Sequence, residues 1–177
     1  MILKLRYYGD PVLRKKCEKV SGVTAEIKKL VQDMIETMIH HNGIGLAASQ
    51  IGELVRVFII REELLTPNGD FTFGPPRVFI NPVLSAPTPE LETMLEGCLS
   101  IPGLHVEVER PKGITIEAMG LDGKPFKETI IGFTARQLMH ENDHLNGTLH
   151  VDRCSKEDRN RIENSLRRIK EKYSSNH

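Results

Sequence analysis

A short polar helix predicted in the last third of the chain constrains the fold more than any other feature. Residues 134–137 fit the capping-box pattern of a helix start, and Gly147 is well placed to end the helix. His140 and His144 are four residues apart, so both imidazoles lie on one helix face, where they can hold a metal ion. A catalytic metal site takes three protein ligands. Another segment of the chain therefore has to fold against this helix and supply the third.

Hydrophobic periodicity predicts two more helices around a set of strands. The first helix follows Thr24 and stops at residues 42–43, Asn-Gly, and the last runs over residues 155–173. Strands are predicted at residues 55–60, 78–84, 104–109 and 114–117, with a loop at 66–76 and a turn at 121–124. This order predicts an α+β fold, with mixed or antiparallel sheets packed around the central helix that carries the histidines.

Composition excludes several classes of protein. The 177 residues include 24 basic and 24 acidic side chains, so no global positive field favours a sequence-specific nucleic-acid partner. No apolar run reaches membrane-spanning length, and the first residues have neither a secretion signal nor a transit peptide. Three scattered cysteines argue against a disulfide framework. These features favour a cytoplasmic protein.

One candidate for the third ligand is His150. The residues from His140 to His150 satisfy the metzincin protease pattern, including Gly147, and would make the chain a zinc endopeptidase. That family needs a methionine turn after the third histidine, but the last methionine is Met139, and only 27 residues follow His150. The protease interpretation is therefore disfavoured. As an ordinary residue, His150 is expected to be partly exposed just past the helix end.

The other candidate is Cys98, in residues 96–102, Glu-Gly-Cys-Leu-Ser-Ile-Pro. Cys98 follows a glycine and precedes a short extended segment that ends at a proline. Such a segment can present a thiolate and the next backbone amide toward one point, and a bound metal would keep the thiol deprotonated. A lone cysteine is also often a small buried apolar residue.

Three segments taken together resemble the peptide deformylase family. They are residues 43–52, Gly-Ile-Gly-Leu-Ala-Ala-Ser-Gln-Ile-Gly, residues 96–102, and residues 140–145, His-Glu-Asn-Asp-His-Leu. They occur in the family's order and at similar separations, and residues 10–14 are similar too. The resemblance covers about residues 5–153, so we expect one domain over 1–177 with a helical extension at about 155–173.

The resemblance implies the chemistry of the site. The family removes the formyl group from the N-terminal methionine of newly made proteins and releases formate, with hydroxide on the metal attacking the formyl carbon. Its physiological metal is usually Fe²⁺, although Zn²⁺ and other divalent ions can occupy the site. The implied roles are metal ligands Cys98, His140 and His144, acid/base Glu141, and oxyanion donors Gln50 (side chain) and Leu99 (backbone amide).

Four residues are expected to contact the substrate. The backbone at Ile44 and Gly45 can hydrogen-bond an extended N-formylmethionyl peptide as an added strand would. Ile44 and Phe133 are candidates to line the pocket for the methionine side chain, with ordinary core residues as the alternative for each. His105 stands where many members of the family have an arginine near the far end of the substrate, so peptide affinity and its pH response are expected to differ.

Other positions depart from the family pattern or surround the ligands. Ser49 replaces a residue that is commonly proline, which predicts a less rigid loop, and Met139 stands where glutamine is frequent. Asp143 is expected either to orient a ligand or pair with an arginine, with Arg110 as one candidate partner, or to be a solvated carboxylate on the helix surface.

The last predicted helix has seven basic and four acidic residues between positions 156 and 172. Its thin apolar stripe consists of Ile162, Leu166, Ile169 and Tyr173. The helix is expected either to be a solvated surface helix or to contact ribosomal RNA near the nascent chain. A metal-binding module without catalysis is a further alternative, which Glu141 in its motif position argues against.

Overall fold

The structure, a computed structural model, describes residues 1–174. Its helices are α1 (Ala25–His40), α2 (Phe133–Leu145) and α3 (Lys156–Ser174). Its strands are β1 (Gly45–Ala47), β2 (Val57–Ile60), β3 (Glu63–Leu65), β4 (Phe71–Phe73), β5 (Arg77–Ser85), β6 (Leu91–Cys98), β7 (Ile101–Pro111), β8 (Gly113–Met119) and β9 (Pro125–Ile131). Within residues 1–174, no helix has the length and apolar character needed to cross a lipid bilayer.

The strands form one larger sheet and two hairpins. The five-stranded sheet has the order β1-β2-β5-β8-β9, while β6 pairs with β7 and β3 with β4. The pairs in all three are antiparallel. Together with the helices, these sheets confirm the predicted α+β fold.

Strand β2 explains how the larger sheet is covered on both faces. Successive side chains of a strand point to opposite faces. Phe58 and Ile60 accordingly belong to the core that includes Leu138 of α2, whereas Val57 and Ile59 belong to the core that includes Met34 of α1. The sheet is thus held between α1 and α2. A third core joins β7 to α3.

Helices α1 and α3 begin with the capping residues that the sequence predicts. The Thr24 hydroxyl accepts a hydrogen bond from the Ile27 amide (3.3 Å) at the start of α1. The Ser155 hydroxyl accepts one from the Asp158 amide (3.0 Å) before α3. In both cases a side-chain oxygen satisfies an amide that has no partner within the helix.

The predicted capping box of α2 is wrong. The helix begins at Phe133, so Thr134 lies inside it, and the preceding residue is Gly132. Gly132 has φ 86°, a conformation that turns the chain directly from β9 into the helix and that glycine adopts without a steric penalty. Gly147, expected to end α2, lies just past it, and a Cβ there would collide with the Arg14 backbone.

Two strand predictions need correction. The loop expected at residues 66–76 is interrupted by the short strand β4 (Phe71–Phe73), which pairs with β3 just before the loop. The two strands have only three residues each and give little periodic signal. Strand β6 was missed because most of its residues are exposed on both faces, so that it lacks regular alternation. The turn predicted at 121–124 is confirmed between β8 and β9, with Gly123 at φ 77°.

Candidate metal centre

Two elements bring three metal-ligating side chains to one point. Helix α2 supplies His140 and His144, and the end of β6 supplies Cys98. The Cys98 Sγ and His144 Nε2 atoms are 3.3 Å apart, and one ligand atom from each of the three residues lies within 4.8 Å of the others. One thiolate and two imidazoles are donors that suit iron and zinc, so the residues fit a divalent metal ion of this kind.

The orientation of His140 is fixed by a carboxylate behind it. Its Nδ1 atom is 2.9 Å from Glu96 Oε1, which leaves Nε2 for the metal side of the ring. Burial lowers the pKa of His140, but hydrogen bonds with Cys98 and Glu96 raise it well above the usual value. Burial keeps the pKa of His144 well below its usual value, which favours the neutral imidazole that binds metals.

A buried ionic network holds Glu96 in turn. Arg110 donates to both of its carboxylate oxygens (2.7 and 2.9 Å), and Arg136 donates a third bond of 2.7 Å. Although burial raises the pKa of Glu96, the bonds from Arg110 and His140 hold that pKa well below its usual range. Arg110 also donates to Asp143 (2.9 Å), as the sequence suggested. The hairpin β6–β7 is thereby tied to the polar face of α2.

Glu96 and Arg136 were not singled out in the sequence. Both gave a signal: Arg136 precedes His140 by four residues, and so lies on the same face of α2. Glu96 precedes Cys98 by two residues on β6. A carboxylate within reach of a metal-binding histidine is a common arrangement, because it orients the imidazole.

Glu141 lies beside the ligands with an unsatisfied oxygen. Its side chain is buried, and its Oε2 atom has no hydrogen-bond partner within residues 1–174. Burial raises the pKa of Glu141 to about 7, so the carboxyl group can gain and lose a proton near neutrality. A Cβ on Gly45 would collide with this carboxylate. The glycine of β1 therefore makes the space that Glu141 occupies.

Gln50 is oriented with its amide nitrogen toward the cysteine. Its Oε1 atom accepts a hydrogen bond from the Ala47 amide (2.8 Å), so its Nε2 atom faces the other way. That nitrogen is 3.4 Å from Cys98 Sγ and donates to Ser100 Oγ at 3.1 Å. A pre-oriented donor of this kind can stabilise negative charge that develops beside the metal.

A cavity of about 710 Å³ opens onto these groups. The predicted oxyanion residues Gln50 and Leu99 line it, together with Cys98, His140 and Glu141. The four predicted substrate residues also line it: Ile44, Gly45, His105 and Phe133. The His105 ring lies against Gly97, where a Cβ would be 2.7 Å from its Nε2 atom. The site residues named from the sequence are thus brought together, with His144 on the buried side.

The three other residues discussed from the sequence, His150, Met139 and Ser49, lie in different surroundings. His150 is 1% exposed, so the expectation of a partly exposed residue was wrong, and it is not among the converging donors found within residues 1–174. Met139 belongs to the core between α2 and the sheet. Ser49 is buried and donates from its hydroxyl to the His144 carbonyl (3.2 Å), a bond that proline could not make.

Comparison with known proteins identifies the family. The family model described as Polypeptide deformylase matches residues 2–160. Peptide deformylase 1 of Clostridium perfringens is 44% identical over 151 residues, which cover 85% of this chain and 97% of that protein. The peptide deformylase of Pseudothermotoga lettingae is 41% identical over 152 residues, covering 86% and 82%. The chain belongs to the polypeptide deformylase family, as its three segments predicted.

A solved structure extends the similarity to the whole fold. The peptide deformylase of Plasmodium falciparum is 30% identical, with a TM-score of 0.88 and coverage of 98% of this chain and 99% of that one. The arrangement of sheets and helices described above is therefore that of the family.

Proposed function

We propose that this protein is a metal-dependent peptide deformylase, which hydrolyses the formyl group from the N-terminal methionine of nascent polypeptides. The observation that carries the proposal is the convergence of Cys98, His140 and His144 beside the buried carboxylate of Glu141. In the described part of the chain, one oxygen of that carboxylate has no hydrogen-bond partner. Family membership supports the same reaction. The proposal treats residues 1–177 as one domain and the cytoplasm, where nascent chains emerge, as its place of action.

One divalent metal ion would be held by Cys98, His140 and His144. When bound, it would polarise the formyl oxygen and lower the pKa of water. The thiolate and two imidazoles suit both Fe²⁺ and Zn²⁺, and by resemblance we propose Fe²⁺ as the physiological ion. Metal analysis of protein purified without oxygen tests this choice, and zinc at full occupancy would contradict it.

In this proposal, proton transfer, stabilisation of the developing charge and substrate binding are performed by different residues. Glu141 takes a proton from the attacking water and returns it to the leaving amine, a transfer that its pKa of about 7 favours. The Gln50 amide and the backbone N–H of Leu99 donate to the formyl oxygen as negative charge develops there. Ile44 and Phe133 enclose the methionine side chain, while Gly45 and His105 contact the peptide beyond it.

The decisive experiment measures formate release from a formyl-Met peptide. The Glu141→Ala variant should retain its metal and lose about 10²–10⁴-fold in kcat, the usual range for a positioned acid/base. The Cys98→Ala variant should lose both metal and activity. A Glu141→Ala protein that turns over at the wild-type rate would refute the assigned role. Metal retained by Cys98→Ala together with cleavage inside peptides would instead favour a protease that uses His150.

Contact with the ribosome through α3 is a second part of the proposal. Ile162 and Leu166 are the buried residues of this helix, and its basic side chains other than Arg159 are exposed. Removing the helix would also remove two core residues, and a charge reversal at Arg167 and Arg168 is the cleaner test. Salt-dependent co-sedimentation with ribosomes should fall in that variant. Unchanged co-sedimentation would leave α3 as an ordinary surface helix.

A further inference from the structure

The apolar stripe of α3 divides into two parts. Ile162 and Leu166 are buried in the core shared with β7, and Ile169 packs against the same core. Tyr173, the last residue of the stripe, lies outside this core. At Gly9, which has φ 101°, a Cβ would overlap the Lys170 side chain, so this glycine lets the last turns of α3 approach the N-terminal segment closely.

This approach brings together two tyrosines from opposite ends of the chain. The rings of Tyr7 and Tyr173 are stacked, with centroids 3.8 Å apart and an interplanar angle of 15°. Both side chains remain partly exposed. Both also line the cavity that contains Cys98 and Glu141, so the C-terminal helix contributes directly to the wall of the candidate active site.

The cavity is larger than the methionine side chain requires. Its volume of about 710 Å³ lies in the range of roughly 300–1,000 Å³ typical of sites that enclose a whole ligand. Aromatic rings held rigidly at such a site offer a large apolar contact area at little cost in conformational entropy. The Tyr7–Tyr173 pair is held by the core of α3 on one side and by the backbone bond from the Tyr8 amide to the Ser100 carbonyl (2.8 Å) on the other.

We propose that Tyr7 and Tyr173 form a subsite that selects apolar or aromatic side chains downstream of the N-terminal methionine of the substrate. This inference rests on the proposed function, and it assigns to the helix beyond the catalytic motifs a role in substrate selection. Stacking or edge contacts with an aromatic residue of the peptide favour its binding, because paired aromatic rings attract beyond simple burial.

The test compares two formyl peptides, Met-Ala-Phe-Phe and Met-Ala-Ala-Ala, each with an N-terminal formyl group. The wild-type ratio of their kcat/KM values should favour the aromatic peptide about 2- to 10-fold, the scale of one aromatic contact. The Tyr173→Ala substitution should bring that ratio close to one, with the change mainly in KM. Tyr173→Phe, which keeps the ring, should retain the preference.

Matched controls separate selection from stability. Asn164→Ala, at an exposed position of α3, should leave the ratio unchanged, and thermal unfolding reports whether Tyr173→Ala still folds. The ratio of the two kcat/KM values does not change when part of the protein is inactive, because both peptides are measured with the same preparation. Equal ratios in the wild type and in Tyr173→Ala would overturn the subsite.

Equilibrium binding distinguishes the two proposals. Calorimetry with Glu141→Gln protein measures the affinity of both formyl peptides without turnover. In one outcome, the wild type releases no formate while the protein still binds the aromatic peptide more tightly in a way that depends on Tyr173. That result would contradict the proposed function and support the subsite. Formate release without such a preference would have the opposite consequence.

Discussion

Helices α2 and α3 are both rich in polar residues, yet the protein uses them in opposite ways. Ten of the 13 residues of α2 are buried, including Arg136, His140 and Glu141. Only two of the 19 residues of α3 are buried, Ile162 and Leu166, and both are apolar. The same kinds of side chain therefore lie inside the protein in one helix and face solvent in the other.

The difference lies in the partners that surround each helix. Strands β6 and β7 present Glu96 and Arg110 to the polar face of α2. Arg136 and His140 pair there with Glu96, and Asp143 pairs with Arg110. Buried charges without partners would be strongly unfavourable. The ion pairs of α3 are local ones, such as Arg159 with Glu163 at 3.9 Å, and they contribute little at the surface. Pairing across elements is what allows α2 to lie inside the protein.

The largest effect is expected from Glu96→Ala, which removes the centre of that pairing. Arg110, Arg136 and the Nδ1 atom of His140 would each lose a buried partner, and the free energy of unfolding should fall by about 3–5 kcal/mol. Denaturant unfolding of the purified proteins measures this. Glu163→Ala on α3 removes the same group at the surface and should cost no more than about 0.5 kcal/mol. Similar losses in both variants would contradict the contrast between the helices.

The second largest effect is expected from a substitution at Gly45, where β1 closely approaches α2. Gly45→Ala would place a methyl group where the Glu141 carboxylate lies, and that carboxylate would have to move. A displacement of about 1 Å in a catalytic group can cost roughly 100-fold in rate, so kcat for formate release should fall by about that factor. Gly22→Ala is the control, because a Cβ there meets nothing within 4 Å. Wild-type kcat in Gly45→Ala would show that Glu141 has room to adjust.

The contrast also explains what the sequence could predict. His140 and His144 are visible because helical spacing puts them on one face, and the thin stripe of α3 is visible for the same reason. Both signals are local in sequence. The class of fold and the candidate pair of histidines follow from such signals, whereas the choice of Cys98 as the third candidate ligand came from the resemblance to the family.

Contacts between distant segments could not be predicted in the same way. The charges of Glu96 and Arg136 look like surface charges until their partners are known, because burial is decided by residues far away in sequence. The stack of Tyr7 on Tyr173 joins the two ends of the chain, and no local pattern indicates it. The capping box predicted for α2 was wrong because the turn out of β9 depends on the backbone conformation of Gly132 rather than on a capping side chain.

The smallest effect is expected from removing one hydroxyl group near each helix. Ser49 donates to the His144 carbonyl at the end of α2, and Ser155 accepts from the Asp158 amide at the start of α3. Each substitution by alanine should lower the free energy of unfolding by about 1 kcal/mol. Only Ser49→Ala should also weaken metal retention during titration with a chelator, because it loosens the turn that carries His144. If Ser155→Ala weakened metal retention equally, the surface helix would be coupled to the metal centre, and the division of labour between α2 and α3 would be wrong.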